Sequence, residues 1–283
     1  MSPSYVRTAA AAFIGLVVAA CAAAQSGGGF QPQVGQAGKD VIWVPTPDDV
    51  VDRMLTMARV TPQDFVMDLG AGDGKIAIAA ARKFGAQAVG IEYNPDMVKH
   101  ANSNAQAAGV LGTGPGKATI RHGDIFQTDF SRATVITLYL LPSLNLKLRP
   151  QLLDMRPGTR IVSHSFTMED WEPDEVSTLD GRRAYFWVVP AKVMGNWTLD
   201  ISGQKLPLTL EQTFQKIKGT VSLGTVEAGL RDAQLDGGLI RFAYVGQDGI
   251  RRDLSGNVNG DRIEGSFRDS KGGQGRWSAA RRK

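Results

Sequence analysis

The pattern of apolar and polar positions changes character three times along the 283 residues. From Ala9 to Ala24 apolar residues run almost unbroken behind one charge, Arg7. A charged start, a short apolar stretch and small residues at its end predict a secretory signal over residues 1–24. The run is shorter than the roughly 20 residues of a membrane span. Three outcomes stay open: cleavage after Ala22-Ala23-Ala24, lipidation at Cys21 of the box-like Val18-Ala19-Ala20-Cys21, and an uncleaved anchor. Residues 25–41 are polar and Gly-rich and read as a linker.

From Val44 the spacing becomes that of alternating helices and strands. Thr46 predicts a helix N-cap, with Pro47 at the first helical position and Asp49 closing a capping box. Val51, Met54, Leu55 and Ala58 follow at helical spacing, and Thr61-Pro62 stops the helix. Short apolar strands are expected over 65–69, 88–92, 118–122, 134–141, 160–166 and 184–189. Helices are expected over 75–84, from the Asn94-Pro95-Asp96 cap to Gly109, and over 144–155 with a break near Pro150. Strands that are apolar throughout and alternate with helices predict a parallel sheet covered on both faces, an α/β domain over residues 42–192. Such sheets bind ligands at the carboxyl ends of their strands.

From Gly195 the pattern shortens again into alternating strands over 197–201, 206–214, 217–223, 239–245, 250–254, 262–267 and 275–279, with Gly turns such as Asp236-Gly237-Gly238 between them. This predicts a small antiparallel barrel or strongly bent sheet over residues 193–283. A glycine recurs between apolar positions at Gly219, Gly256 and Gly265, where strands are expected to bend. Gly195-Asn196-Trp197 resembles the G-x-W start of lipocalin-type barrels. Such a domain could dock a protein substrate, bind a small ligand or cover an exposed face of its neighbour.

Composition narrows the chemistry. One cysteine and three histidines exclude a disulfide framework and a cysteine-rich metal site, and no spacing of His, Asp and Glu suggests a metal. Residues 195–283 hold 14 basic and 10 acidic side chains, whereas residues 40–194 hold 16 basic and 18 acidic. The basic surplus therefore lies outside the α/β domain. Few aromatics interleave with those basic residues, which argues against nucleic-acid binding.

The loop Asp68-Leu69-Gly70-Ala71-Gly72-Asp73-Gly74 follows the first strand. A phosphate-binding P-loop fails, because Leu69 and Ile76 stand where a glycine and a hydroxyl are needed. A dinucleotide loop has Lys75 at its third glycine position, and Asp68 and Asp73 would oppose a pyrophosphate. S-adenosylmethionine carries a sulfonium and an α-amino cation and no phosphate, so acidic neighbours suit it. Glu92 ends the second strand, where an acid can accept from both ribose hydroxyls. Asp124 follows the third strand, where an acid can meet the adenine amino group. Three acidic strand ends in this order point to that cofactor.

These residues resemble class I S-adenosylmethionine-dependent methyltransferases. The segments Val44–Pro47, Asp68–Lys75, Gly90–Pro95, Gly123-Asp124, Tyr139–Ser143 and Val162–Phe166 are similar to a smaller group, the bacterial relatives of the mitochondrial protein-lysine methyltransferases of adenine nucleotide translocase and the ATP synthase c-ring protein. The resemblance covers roughly residues 42–190. It implies a Rossmann-like sheet, S-adenosylmethionine as cofactor and a protein lysine as acceptor. The cofactor set it implies is Asp68, Gly70, Ala71, Gly72, Asp73, Gly74, Glu92, Tyr93, Asn94, Asp124 and Ile125. Thr46, Leu141, Pro142 and Trp171 are the expected substrate contacts, and Tyr139 the expected catalytic residue. Tyr139-Leu140-Leu141-Pro142-Ser143 stands where many amine methyltransferases carry an amide or carboxylate, so backbone carbonyls or Tyr139 would have to orient the amine. Tyr139 reads equally as a core aromatic. Trp171, in the acidic stretch Glu169–Glu175, reads either as a wall of the lysine slot or as a packing residue. His100, His122 and His164 read as structural.

Two other functions stay open on sequence alone: an exported binding or scaffold protein whose fold no longer turns over, and a small-molecule methyltransferase. The signal implies export, a periplasmic location or membrane association through the N-terminal segment. That conflicts with a cofactor made in the cytoplasm.

Overall fold

The structure is a computed structural model that describes residues 30–282. The signal expected over 1–24, with Cys21, lies outside the described residues. Helix α1 (Asp48–Met57) precedes strand β1 (Phe65–Leu69), helix α2 (Lys75–Phe84), β2 (Gln87–Glu92), α3 (Pro95–Ala107), β3 (Ala118–His122), β4 (Val135–Leu138), α4 (Pro142–Leu153) and β5 (Arg160–His164). A hairpin of β6 (Glu175–Leu179) and β7 (Arg182–Val188) completes a seven-stranded sheet in the order β3-β2-β1-β4-β5-β7-β6.

The first five strands are parallel, and β7 runs antiparallel to both β5 and β6. The sheet is therefore mixed rather than parallel throughout. Strand β6 lies where an acidic loop was expected; it alternates half-buried and exposed positions, as an edge strand does. The chain leaves β1 toward β2 on one side and returns to β4 on the other, so the switch point lies at the carboxyl ends of β1 and β4.

Local chemistry explains most of the helix ends. Asn94 caps α3, its side chain accepting from the N–H of Asp96 and Met97. Gly85 closes α2 at φ 71°, a left-handed position that costs glycine little. Two expectations fail. Thr46 does not cap α1; Pro47 stands at the cap position, no side chain caps the helix, and Asp49 Oδ1 accepts from the adjacent Val50 N–H. Helix α4 begins at Pro142 and continues through Pro150 to Leu153. Leu148 and Leu152, fully buried on either side of Pro150, hold the turn against its missing hydrogen bond.

Nine strands form the second sheet: β8 (Gly195–Ile201), β9 (Gln204–Thr213), β10 (Lys216–Ser222), β11 (Glu227–Gly229), β12 (Arg231–Asp236), β13 (Leu239–Val245), β14 (Arg251–Asn259), β15 (Arg262–Asp269) and β16 (Gln274–Arg281). Their order is β11-β10-β9-β8-β16-β15-β14-β13-β12, antiparallel at every pairing. The edge strands β11 and β12 are joined by Leu230 alone, so the sheet nearly closes into a barrel. Trp197, Leu208, Ile240, Phe242, Ile263 and Trp277 fill the interior. Gly256 and Gly265 face each other across β14 and β15, beneath Trp277. A Cβ on Gly256 would come within 2.6 Å of the Trp277 ring. That indole donates to Ser255 O and Ser266 O at 3.1 Å each. The glycines thus make room for a tryptophan laid flat on the strands.

The barrel covers a face of the first sheet. Phe214, at the β9–β10 turn with φ 53°, stacks on Trp171 at 5.9 Å and 18° and lies under the Arg149 guanidinium. Lys216 pairs with Glu172 at 2.6 Å, and Gln215 donates to Glu172 O. At a second contact Gly237 comes so close to Gly158 that a Cβ would lie 2.9 Å from its Cα.

Candidate functional site

A cleft of about 290 Å³ opens at the carboxyl ends of β1, β2 and β4. Its floor is the Gly loop. Gly70 N–H and Ala71 N–H both donate to Ile91 O at 2.9 Å, folding the loop back onto β2. Gly74, at φ 79°, turns the chain into α2, and its absent side chain leaves room for Ile120 and Ala101. Glu92 is held on both carboxylate oxygens, Oε2 accepting from Gly72 N–H at 2.9 Å and Oε1 from Asn94 N–H at 2.8 Å. These bonds fix the acid in place and leave further lone pairs for a ligand.

Asp68 is 2% exposed and accepts from Thr137 Oγ1 at 2.6 Å. Burial pushes its carboxyl up to about 7, the nearby charges of Asp73 and Glu92 push the same way, and the Thr137 bond opposes them. A carboxylate so placed is stabilised by a cation. At the other end, Asp124 takes Lys39 Nζ at 2.6 Å and Phe126 N–H at 2.9 Å. The Lys39 bond holds the Asp124 carboxyl below the usual carboxylate range. Lys39 also lies 4.8 Å above the Tyr93 ring. It comes from a short strap, residues 35–43, closed by Gly35 N–H to Trp43 O and Trp43 N–H to Gln36 O, both 2.9 Å. Trp43 packs on Gly72 so closely that a Cβ there would lie 2.5 Å from its Nε1.

The remaining wall is Thr46, Tyr139, Leu141 and Phe166. Tyr139 is half-buried, with its ring 4.0 Å from that of His164 and 6.1 Å from that of Phe166. Thr46 Oγ1 lies 3.2 Å from His164 Nδ1. Burial pushes His164 down to about 4, helped by the Arg182 charge, so the ring is neutral near pH 7.

Most of the expected residues meet at this cleft. Asp68, Gly70, Ala71, Gly72, Asp73, Glu92, Tyr93, Asn94, Asp124, Ile125, Thr46, Leu141 and Tyr139 all line it. Gly74 and Pro142 stand just behind, as starts of α2 and α4. Trp171 does not belong to it: the side chain is fully buried between Trp187 and Phe214 and packs the domain contact. Sequence reasoning missed Lys39, Trp43, Thr137 and Phe166, and read His164 as structural only. Thr137 alone carried a signal, a polar residue inside the apolar run Val135–Leu138.

The donor set fits S-adenosylmethionine. Four carboxylates line the cleft near the Gly loop and strand ends, and its two lysines, Lys39 and Lys75, are each paired to an acid. Glycine at 70 and 72 keeps the backbone close to whatever occupies the space, since side chains there would run into Leu140 and Trp43. Among the described residues no group of His, Cys, Asp and Glu could hold a metal.

Comparison with known proteins agrees with this geometry. The model of the ANTKMT methyltransferase domain family matches residues 68–175. A protein-lysine N-methyltransferase of Saccharolobus islandicus is 46% identical over 138 residues, 48% of this chain and 83% of that protein. The human lysine N-methyltransferase that acts on the c-ring protein of ATP synthase is 31% identical over 136 residues, 48% of this chain and 56% of that one. A solved structure described as an RNA methyltransferase from Salinibacter ruber, in complex with S-adenosyl-L-homocysteine, is 52% identical. It superposes with a TM-score of 0.51 over 53% of this chain and 96% of that one. The shared part is the mixed sheet with its Gly loop, and by that part the chain belongs to the class I S-adenosylmethionine-dependent methyltransferases, in the ANTKMT methyltransferase domain family.

Proposed function

We propose that this protein transfers a methyl group from S-adenosylmethionine to the ε-amine of a lysine in a protein. The observation that carries the reading is the buried carboxylate of Asp68 at the foot of a cleft lined by acids, in a chain 46% identical to a protein-lysine N-methyltransferase. Asp68, Glu92 and Asp124 would hold the cofactor with the Gly loop beneath it, and Thr46, Tyr139 and Leu141 would form the acceptor end. When bound, the cofactor supplies a methyl on a sulfonium, ready for displacement by a nucleophile. The protein's part is to align the acceptor, exclude water and receive the amine in its neutral form. A free lysine titrates near 10.4, so the half-buried wall of Tyr139, Phe166 and Leu141 helps by disfavouring the ammonium.

An RNA acceptor is the second reading, favoured by the description of the Salinibacter ruber structure. The acid-lined cleft with both lysines paired weighs against it, because a phosphate backbone needs free cations. Incubation of the pure protein with labelled cofactor and either a membrane-protein extract or total RNA separates the two. Label in protein that acid hydrolysis returns as methyl-lysine supports the first reading; label in RNA alone sinks it. Export or anchoring through residues 1–24 is proposed on the sequence pattern, and a cofactor supply outside the cytoplasm would then be required.

A further inference from the structure

Leu140, Leu141 and Pro142 follow Tyr139 and offer no side-chain acceptor for an amine. Three side chains from separate parts of the chain meet there instead. Thr46 precedes α1, is 5% exposed and lines the cleft. Tyr139 follows β4 and lines the same wall. His164 ends β5 behind them, 3% exposed, in hydrogen-bond distance of Thr46 and in ring contact with Tyr139.

The imidazole is held from its own loop. Ser165 stands at φ 63°, and across it Phe166 N–H donates to His164 O at 2.8 Å. A three-residue turn with that sign of φ is rare and strained for a residue bearing a side chain. Asn145, fully buried in α4, donates from Nδ2 to Thr167 O at 3.2 Å and so ties down the far end of the turn.

Resting on the lysine-transfer reading, we propose that His164 is a positioning residue for the acceptor amine: it accepts the Thr46 hydroxyl proton at Nδ1, which turns the Thr46 oxygen lone pairs into the cleft beside the Tyr139 oxygen. A hydroxyl has one proton to donate and two lone pairs. Once the proton is committed to His164, Thr46 faces the cleft as an acceptor only. A neutral amine has two N–H bonds and one lone pair, an ammonium three N–H bonds and none. Two uncharged oxygens hold the two N–H bonds and leave the lone pair free, whereas a carboxylate would favour the ammonium. The amine lone pair then forms the N–C bond while the C–S bond breaks and its electrons return to sulfur. The nitrogen becomes a methylammonium and afterwards gives its extra proton to water. The low pKa of His164 supports this geometry, because only a neutral ring keeps a lone pair to accept with.

The tautomer of His164 can be read in the whole protein by nitrogen NMR after selective labelling of histidine. A neutral ring with its proton on Nε2, and an Nδ1 signal that shifts in Thr46→Val, is expected. A proton on Nδ1 overturns the proposal, because Thr46 would then turn its own proton toward the cleft. The second measurement is the initial rate of label transfer to the membrane-protein extract, with cofactor affinity measured by calorimetry. Thr46→Val and His164→Leu should slow transfer on the order of 10²-fold with unchanged cofactor affinity. Thr46→Ser should recover most of the loss, and His164→Asn part of it through its own amide oxygen. A Thr46→Val protein with the wild-type rate also overturns the proposal. Should His164→Leu fail to fold, the Thr46 pair and the tautomer decide. Cofactor binding without label in protein would sink the lysine reading, and the tautomer would still test the placement of Thr46.

Discussion

Asp68 sits among apolar side chains with one hydroxyl, that of Thr137, as its hydrogen-bond partner. Its carboxyl is raised to about 7 in the fold, against an ordinary value of 3.8. Between those two pH values the folded protein holds a proton that the unfolded chain has released. Stability contributed by this group is therefore full at low pH and is lost as pH climbs to about 7, a swing on the order of 4 kcal/mol. Two outcomes follow. Asp68→Asn keeps an acceptor for Thr137 and removes the buried charge, so at pH 8 it should raise the unfolding temperature of the unliganded protein while abolishing cofactor binding by calorimetry. In the wild type, affinity for the cationic cofactor should rise with pH through 7, with proton release that depends on buffer ionisation heat. Affinity independent of pH from 6 to 8 would remove Asp68 as the cation partner. Glu92 and Asp124 were legible because strand ends are legible. Thr46 was not: a threonine before Pro47 has the form of a helix cap, and only the arrival of His164 from 118 residues away claims its hydroxyl.

Among the elements, the β9–β10 turn has the largest consequence for its neighbour. Phe214 fills the space over Trp171 and under Arg149, and the residue is half-buried in a left-handed conformation. Phe214→Ala should cost about 2 kcal/mol in chemical denaturation and change the Trp171 emission, since stacking and burial are both lost. Within the barrel, Gly265→Ala has no room: its Cβ would run into the backbone of Ser255 and Gly256 across the strand. A loss of more than about 2 kcal/mol, or failure to fold, is expected, against a small effect for the same change at Gly229, where nothing lies close. Strands 65–69 and 118–122 were read correctly to the residue, because each is a short apolar run with a turn signal at its end. Strands β6, β11 and β12 were not read, because edge strands alternate weakly or are too short to show a period.

For the whole molecule, the barrel acts as a cover on the first sheet. The Salinibacter ruber structure matches this chain over 96% of its own length and 53% of this one, so a comparable sheet occurs in a chain without an equivalent of much of the remainder. Here the loop that carries Met168 and Trp171 leads from Phe166 at the cleft to Phe214 in the barrel. Removing residues 193–283 should therefore uncover Trp171 and lower the unfolding temperature, and it should slow methyl transfer more than it weakens cofactor binding, since the Gly loop lies on other strands. A truncated protein that unfolds at the wild-type temperature would show the barrel to be a passenger. Among the described residues no helix is long and apolar enough to cross a membrane.

By itself the sequence determined what short-range physics decides: two successive patterns, α/β and then all-β, the helix cap at Asn94, the Gly loop, and the acids at three strand ends that select a cationic cofactor over a phosphate. These depend on neighbours within a turn or a strand. The tertiary structure alone decided the rest. It turned β7 against its neighbours, because a hairpin can add to an edge only antiparallel. It placed Trp171 in a core rather than a cleft, because the barrel brings Phe214 onto it. It joined Thr46, Tyr139 and His164, because three segments far apart in the chain end at the same corner of one sheet. Contacts between distant segments leave no period in the sequence, and in this protein the acceptor end of the site is made of them.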